Sequence, residues 1–448
     1  MMLAPHGRQP PFPLPSGPAT GFFNGLHPKI KLPTMKCSRS QFLRTTAAAF
    51  VGLVFPHVNA EPSGNPDEAL PAKLAVGEMP PPTGELSGQL RLMDDIIPAF
   101  LKSAKIPGCT VAVIANGKVL ANRGYGWSDK ELSTAMQPNA VMRVGICEEP
   151  VVVTALKLLV AEKHILPVSK KPLTLDMKYF ELVEREFRVA PIPRDQMIPA
   201  LENLTLRDIV EHRVTLRQIS AFGREPRTYP TYRDAIRDMR TSPALSLEME
   251  MRADGNSAPK AVYEVGQKED TVAAGLYLLR FLVSQCTGDY PGFLKKRVFG
   301  PSGAGDAVVQ SRNVPRDRDP REGHYWFNGQ GFSMIPSDFG KNKLVPFTEG
   351  CSECEIVSQP AFSAEGLAKY LQHFGMGSNE APKKGVTGVT SVCARGDRSS
   401  GAILEQRPET GCSMAVLFDR SPDNWVMNPK MTALRDQIVK TVFEPNKL

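Results

Sequence analysis

The sequence predicts an α+β fold, in which an antiparallel sheet is flanked by N- and C-terminal helices and carries an inserted, mostly helical subdomain. Residues 109–115 and 119–124 are two strand-like runs joined by Asn116 and Gly117, a preferred two-residue hairpin turn. Three more strand patterns come late in the chain, at 390–394, 402–406 and 412–418. Chain ends that share one sheet would enclose the helical middle as a subdomain.

Helical periodicity supports the flanking helices and the helical middle. Residues 90–101 place apolar side chains at helical spacing, although Pro98 is expected to shorten or kink that helix. Thr205 and Asp208 have the spacing of a capping box at the start of a short helix. Further helical patterns lie at 276–285, 363–374 and 431–442.

Residues 1–60 have the composition of a leader. Its parts occur in order: basic Lys36, Arg39 and Arg44, an apolar run at 47–55, and a small-residue cleavage pattern at 58–60. The run 38–44 resembles a twin-arginine signal, with Ser40 in place of the second arginine. We therefore expect a start at Met35 and an export signal over 35–60, which predicts a periplasmic or secreted protein. A disordered tail with an uncleaved anchor helix is the alternative.

The positive charge of the chain is concentrated in this leader. The formal net charge is +7, but six of the 54 basic residues and none of the 47 acidic ones lie in residues 1–60. The remainder is nearly balanced, which gives no argument for nucleic acid binding. No transmembrane pattern occurs after the leader, so no integral membrane segment is expected in the mature chain.

The rest of the chain predicts a linker followed by one domain. Residues 61–88 are rich in Pro and Gly, as linkers are. Residues 89–448 would form the domain, with a sheet subdomain at about 89–145 and 362–448 and a helical subdomain at about 146–361.

The cysteines give weak evidence for metal or redox chemistry. Of eight, Cys37 leaves with the leader, and the odd number that remains predicts at least one thiol outside an intramolecular disulfide. Cys351 and Cys354 form a lone C-x-x-C without a second pair or nearby histidines. We therefore expect neither a metal nor a cofactor.

The stretch 142–166 reads as a glycine-containing turn that leads into a buried helix. Pro150 falls where a first helical turn tolerates proline, and Glu148 and Glu149 place negative charge at the positive end of the helix. Such a turn is a common place to mount a nucleophile.

Several segments together resemble the serine β-lactamase and penicillin-binding-protein superfamily. They are the hairpin at 106–127, the approach at 139–145, the helix at 204–212 and the turn at 407–411. The likeness spans about 90–442 and is greatest to class C β-lactamases and D-alanyl-D-alanine carboxypeptidases. It implies a β-lactamase/transpeptidase-like fold and serine acyl transfer.

The family's first motif, Ser-x-x-Lys, is lost when the approach segments are aligned. Ile146 then occupies the serine position and Glu149 the lysine position. The serine attacks the acyl carbon and the lysine helps remove its proton, so neither role remains. The adjacent Cys147 is the one neighbouring side chain that could act as a nucleophile. A cysteine at such a position is ordinarily buried and structural.

The second and third motifs also depart from the family pattern. Counting back from the 276–285 helix places Thr271 and Ala273 where a Tyr-x-Asn motif belongs. Counting back from Arg407 places Ala394, Arg395 and Gly396 where His/Lys-Thr/Ser-Gly belongs, and only the glycine is kept. Lys383 to Gly385 resembles Lys-Thr-Gly in letters but lies too far upstream.

These losses predict an exported pseudoenzyme or binding protein. Its ligand would be a cell-wall peptide, a small amide or a protein, held in the old pocket or near Tyr325 and Trp326. A residual or altered hydrolase of amide, ester or cell-wall peptide substrates is one alternative. A structural or interaction scaffold is the other.

Overall fold

The computed structural model describes most of the predicted domain. It covers residues 79–129, 134–189, 202–211, 215–216, 247–248, 271–310, 319–323, 330–332, 344–346, 360–377, 391–396, 400–420 and 429–448. These residues belong to a single unit, Pro62–Leu448. The predicted leader, Cys351, Cys354 and the Tyr325–Trp326 pair lie outside the described residues.

The described part of the chain contains thirteen strands and eight α-helices. The strands are β1 (Thr83–Leu86), β2 (Gly108–Ala115), β3 (Lys118–Gly126), β4 (Val141–Met142), β5 (Thr215–Leu216), β6 (Leu247–Glu248), β7 (Val308–Gln310), β8 (Gln330–Phe332), β9 (Leu344–Pro346), β10 (Pro360–Ser363), β11 (Ser391–Gly396), β12 (Gly401–Arg407) and β13 (Cys412–Phe418). The α-helices are α1 (Met93–Ala104), α2 (Glu149–Ala161), α3 (Tyr179–Phe187), α4 (Leu206–Val210), α5 (Thr271–Thr287), α6 (Tyr290–Phe293), α7 (Ala364–Phe374) and α8 (Pro429–Ile438). Single-turn or π-helical segments are Gly88–Leu90, Gly145–Glu148, Leu294–Phe299, Gly300–Ser302, Gly305–Ala307 and Val439–Phe443.

The main sheet has six strands in the order β1-β3-β2-β13-β12-β11, and every neighbouring pair is antiparallel. Its strands come from both ends of the chain, which confirms the predicted α+β class. Asn116 and Gly117 form the turn between β2 and β3 with φ angles of 51° and 76°. Both angles are left-handed, and Asn and Gly are the residues that tolerate them best.

The two faces of this sheet carry separate hydrophobic cores. Along β12, Leu404 packs into the core shared with α2, α3, α5 and α7, while Ile403 packs into the core shared with α1 and α8. This alternation follows from the two-residue period of a strand. The sheet is therefore a middle layer between two helical layers.

The flanking helices differ in detail from their predicted bounds. Helix α1 continues through Pro98 to Ala104, so the expected shortening at Pro98 is wrong. Helix α8 ends at Ile438 and passes into the π-helical segment Val439–Phe443. Among the residues described, no helix is both long and apolar enough to cross a membrane.

Asp419 is a buried carboxylic acid at the end of β13. Its Oδ1 atom accepts a hydrogen bond from the Gly108 N–H at 3.1 Å, and Oδ2 has no hydrogen-bond partner within the described structure. Burial raises the pKa of Asp419 well above its usual value, against the opposing effects of backbone N–H groups and of Arg420.

Asp419→Asn is expected to stabilise the protein more at high pH than at low pH. Because the folded pKa is raised, ionisation favours the unfolded state from about pH 4 upward, through the folded pKa. The asparagine does not ionise, so the difference in melting temperature between variant and wild type should rise from pH 4.5 to pH 8. Asp306→Asn, at a side chain that is 98% exposed, is the matched control. An equal difference at both pH values would contradict this prediction.

Candidate functional site

The predicted nucleophile position lies on a single 3-10 turn, Gly145–Glu148, between β4 and α2. Gly145 has a φ of 53°, a left-handed conformation in which a side chain would be strained. Helix α2 then begins at Glu149, with Pro150 in its first turn as predicted. The edge strand β11, its neighbour β12 and helix α5 all contact the turn. The turn is therefore where elements distant in sequence meet.

Strand β11 brings the predicted third-motif positions close to this turn. Its register pairs Ala394 with Ile403 and Arg395 with Ala402 in the adjacent strand β12. The carbonyl oxygen of Ala402 in turn accepts a hydrogen bond from the Cys147 thiol on the turn. Arg395 is thus paired across the sheet with Ala402, the residue whose carbonyl oxygen contacts Cys147.

Helix α5 reaches the turn through Arg280, which binds Glu148. Thr271 and Ala273 lie in the first turn of α5, which begins earlier than the predicted 276–285 helix. Arg280 follows Thr271 by nine residues, about 13 Å along a helix axis. Whether Thr271 and Ala273 occupy the family's second-motif place stays a prediction.

The Cys147 side chain is completely buried in the core beside α2. Its sulfur lies 3.5 Å from the Ala402 carbonyl oxygen, to which it donates. A catalytic cysteine needs an accessible thiolate in an electropositive environment. The burial of Cys147 and its hydrogen bond to a backbone carbonyl support a structural role.

The strongest polar feature of the site is a buried cluster that fixes Glu148. Arg280 and Glu148 are 2% and 3% exposed and form a two-pronged ion pair, with Arg280 Nε 3.2 Å from Glu148 Oε1 and Nη2 bonded to Oε2. The Tyr290 hydroxyl donates to Glu148 Oε1 at 2.7 Å. Burial raises the pKa of Glu148, while Arg280 and Tyr290 oppose this rise. The cluster ties the turn to α5 and α6.

Sequence reasoning missed this cluster, although one signal was present. Arg280 interrupts the otherwise apolar run of α5, and a single arginine in a buried helix needs an acid. Nothing in the sequence identifies Glu148, 132 residues away, as that acid.

The first turns of α2 offer no other group for acyl transfer. Residues 145–156 contain no lysine, arginine or histidine, and Thr154 carries their only hydroxyl. Thr154 is buried, and its Oγ1 lies 2.9 Å from the Tyr370 hydroxyl, which also donates to the Pro150 carbonyl oxygen at 2.9 Å. Glu149, at the predicted lysine position, is 1% exposed. An acid therefore stands at the predicted lysine position, where the family chemistry requires a base that can become a cation.

Further lysines and histidines lie outside the site or outside the described residues. Lys157 lies eight residues after Glu149, about two helical turns along α2, and donates to the Gly377 carbonyl oxygen at 2.7 Å. Burial lowers the pKa of Lys157. His212, His324 and the Lys383–Gly385 letters lie outside the described residues.

Comparison with known proteins identifies the family. The profile of the Beta-lactamase family matches residues 93–434, most of the chain. The chain belongs to this family, and the predicted resemblance to the serine β-lactamase and penicillin-binding-protein superfamily is confirmed. A search of curated proteins finds no match.

Solved structures of other proteins match this chain at low sequence identity. D-amino acid amidase from Ochrobactrum anthropi SV3, complexed with D-phenylalanine, is 15% identical, with 79% of this chain and 99% of that chain covered and a TM-score of 0.51. An octameric penicillin-binding protein homologue from Pyrococcus abyssi is 17% identical over 79% of this chain and 77% of that chain, with a TM-score of 0.49. A penicillin-binding protein homologue from Caulobacter crescentus is 13% identical, with 79% of this chain and 97% of that chain covered and a TM-score of 0.48.

Proposed function

We propose that this β-lactamase-family protein is exported and has lost serine acyl transfer, and that it binds a ligand without turning it over. One observation carries the proposal: the turn Gly145–Glu148 supplies no hydroxyl, and its only thiol is buried against Ala402. Export is proposed from the composition of residues 1–60 alone.

The electrostatics of the turn support the same proposal. Acyl transfer needs a nucleophile, a base that accepts its proton and hydrogen-bond donors for the oxyanion. Two adjacent acids, Glu148 and Glu149, are buried at the start of α2, and Glu148 is held by Arg280 and Tyr290. A negative charge beside a developing oxyanion would oppose the reaction. These buried acids support the proposed loss of acyl transfer at a turn that keeps its place in the fold.

The proposed ligand is a small amide or a cell-wall peptide. Family membership supports this class, and the amidase structure with bound D-phenylalanine suggests a D-amino acid amide as the first compound to test. The second candidate function is an altered hydrolase that uses Cys147. Its sulfur is the one nucleophilic side-chain atom on the turn apart from the carboxylate of Glu148.

Wild-type protein is expected to form no covalent adduct with a penicillin or a fluorophosphonate probe. Intact-protein mass spectrometry after incubation measures this directly. Stoichiometric labelling of one side chain would contradict the loss of acyl transfer. A label that disappears in Cys147→Ala would instead support the altered hydrolase. A melting-temperature increase with D-phenylalanine amide, without an adduct, would support binding, whereas neither signal would favour a structural scaffold.

The paired change Ile146→Ser and Glu149→Lys is expected to restore weak acylation at most. The pair restores both residues of the first motif. The second and third motifs would still be absent, because Thr271, Ala273 and Arg395 do not match them. The same mass measurement checks this, with circular dichroism as the test of folding and each single variant as the control. Robust turnover by the pair would show that the second and third motifs are present elsewhere in the chain.

A further inference from the structure

A tight loop after α2 exposes two large aliphatic side chains. Ile165 is 55% exposed and Val168 is 54% exposed, while Leu166 between them is fully buried. Among the described residues, the only other large hydrophobic side chain that is this exposed is Leu92, at 44%. We call Ile165 and Val168 the aliphatic tip. Exposed hydrophobic side chains that are scattered singly need no explanation, but these two lie three residues apart on one loop.

The loop that carries the aliphatic tip is held in place by Glu186 of helix α3. The Glu186 carboxylate accepts hydrogen bonds from the N–H groups of Val168, at 2.8 Å, and Ser169, at 3.0 Å. Burial raises the pKa of Glu186, but its hydrogen bonds from Ser169, Arg185 and Val168 prevail and lower it to about 2. Glu186 therefore stays ionised, and the exposure of the tip is built into the loop.

Backbone hydrogen bonds close the two sides of the same loop. Leu166 N–H donates to the Lys171 carbonyl oxygen at 2.9 Å, and Leu173 N–H donates to that of His164 at 2.8 Å. The exposed tip is therefore the end of a short, bonded loop.

The surroundings of the aliphatic tip are basic. Lys163, Lys170 and Lys171 are exposed on its two sides, and residues 163–173 contain no acid. Several acids near this loop form ion pairs with arginines: Glu162 with Arg297, both Glu181 and Glu186 with Arg185, and Asp176 with Arg207. Arg297 belongs to the segment Leu294–Phe299, which adds the exposed Lys296, while Lys295 of the same segment pairs with Asp306.

We propose that the aliphatic tip docks this protein on an anionic phospholipid surface. Apolar side chains that protrude from a rigid loop can enter the boundary between headgroups and acyl chains, while flanking lysines contact anionic headgroups. A protein partner fits less well, because two side chains on a narrow tip supply far less area than a stable protein interface buries. The proposal is independent of the acyl-transfer site.

Sedimentation of the full-length protein with vesicles tests this docking. Vesicles of phosphatidylcholine and phosphatidylglycerol in equal parts should bind the protein better than pure phosphatidylcholine, and added salt should weaken the binding. The pair Ile165→Ser and Val168→Ser should lower partitioning about tenfold, since it removes both inserted side chains. Leu92→Ser is the matched control and should change nothing. Equal partitioning of the tip variant and the Leu92 variant would overturn the proposal.

A second readout separates tip insertion from any binding by the leader. Val168→Trp should show a blue-shifted emission with anionic vesicles and quenching by brominated lipids, both beyond the changes in wild type. Leu92→Trp should show neither change. Vesicle binding without quenching at Val168→Trp would overturn lipid docking and leave the tip as a contact for another protein. Unchanged melting temperatures of the tip variants would show that the fold is intact.

Discussion

Glu148→Gln is expected to lower the free energy of unfolding by about 3–5 kcal/mol, the usual cost of breaking a buried ion pair from one side. The substitution removes the negative charge that faces Arg280, and the guanidinium is only 2% exposed. It also weakens the hydrogen bond from Tyr290. Urea unfolding followed by circular dichroism measures the loss as a lower midpoint at an unchanged slope.

A double-mutant cycle shows whether the loss comes from the pair. With Arg280→Met as the second change, the double variant should lose less stability than the sum of the two single variants, because no buried charge is then left behind. Asp176→Asn is the control, since Asp176 and Arg207 form an exposed pair at 2.8 Å with side chains 72% and 36% exposed. It should cost about 0–1 kcal/mol. Glu148→Gln that costs no more than this control would contradict the prediction.

This ion pair also explains how the turn is held in place by groups other than the predicted serine and lysine positions. The Gly145–Glu148 turn is anchored by Glu148 to α5 and α6 and by Cys147 to β12. Both anchors connect residues far apart in sequence, and neither uses the predicted serine or lysine position. The fold of the turn is therefore separable from acyl transfer, which is a condition for a pseudoenzyme.

Features set by neighbouring residues could be predicted from the sequence. Asn116 and Gly117 determine the first hairpin through their left-handed angles. Thr205 and Asp208 form the predicted capping box, with each side chain bonded to the other's backbone N–H. Strand β13 has its predicted bounds because its apolar run is bordered by a glycine turn. In each case the deciding interactions lie within a few positions.

Features set by distant residues could not be predicted from the sequence. The partner of Arg280 depends on how α5 packs against the turn, which no local pattern encodes. Helix α5 also begins at Thr271, before its apolar run, and β11 extends to Gly396 because it pairs with Gly401 of β12. Placing the second and third motifs by counting residues assumes fixed bounds, so the roles of Thr271, Ala273 and Ala394 stay predictions.

Arg435→Met is expected to lower the free energy of unfolding by about 2–4 kcal/mol and to loosen the C-terminal helix first. Arg435 in α8 donates to both carboxylate oxygens of Glu405 in β12, each at 2.9 Å. The Glu405 side chain is completely buried, so the substitution leaves a carboxylate facing an apolar side chain. Urea unfolding gives the global loss, and hydrogen exchange of the α8 amides gives the local one.

Two further variants determine whether the two hydrogen bonds from Arg435 to Glu405 are responsible for this stability. Arg435→Lys should recover only part of the loss, because an ammonium group cannot match both carboxylate oxygens in one plane. Arg297→Met removes an ion pair with Glu162 whose side chains are 53% and 39% exposed, and it should cost about 0–1 kcal/mol. Full recovery with lysine would mean that charge alone holds α8 on the sheet. If Arg435→Met loosened α8 no more than Arg297→Met, the apolar packing of Met431, Leu434 and Ile438 would be sufficient to hold the helix.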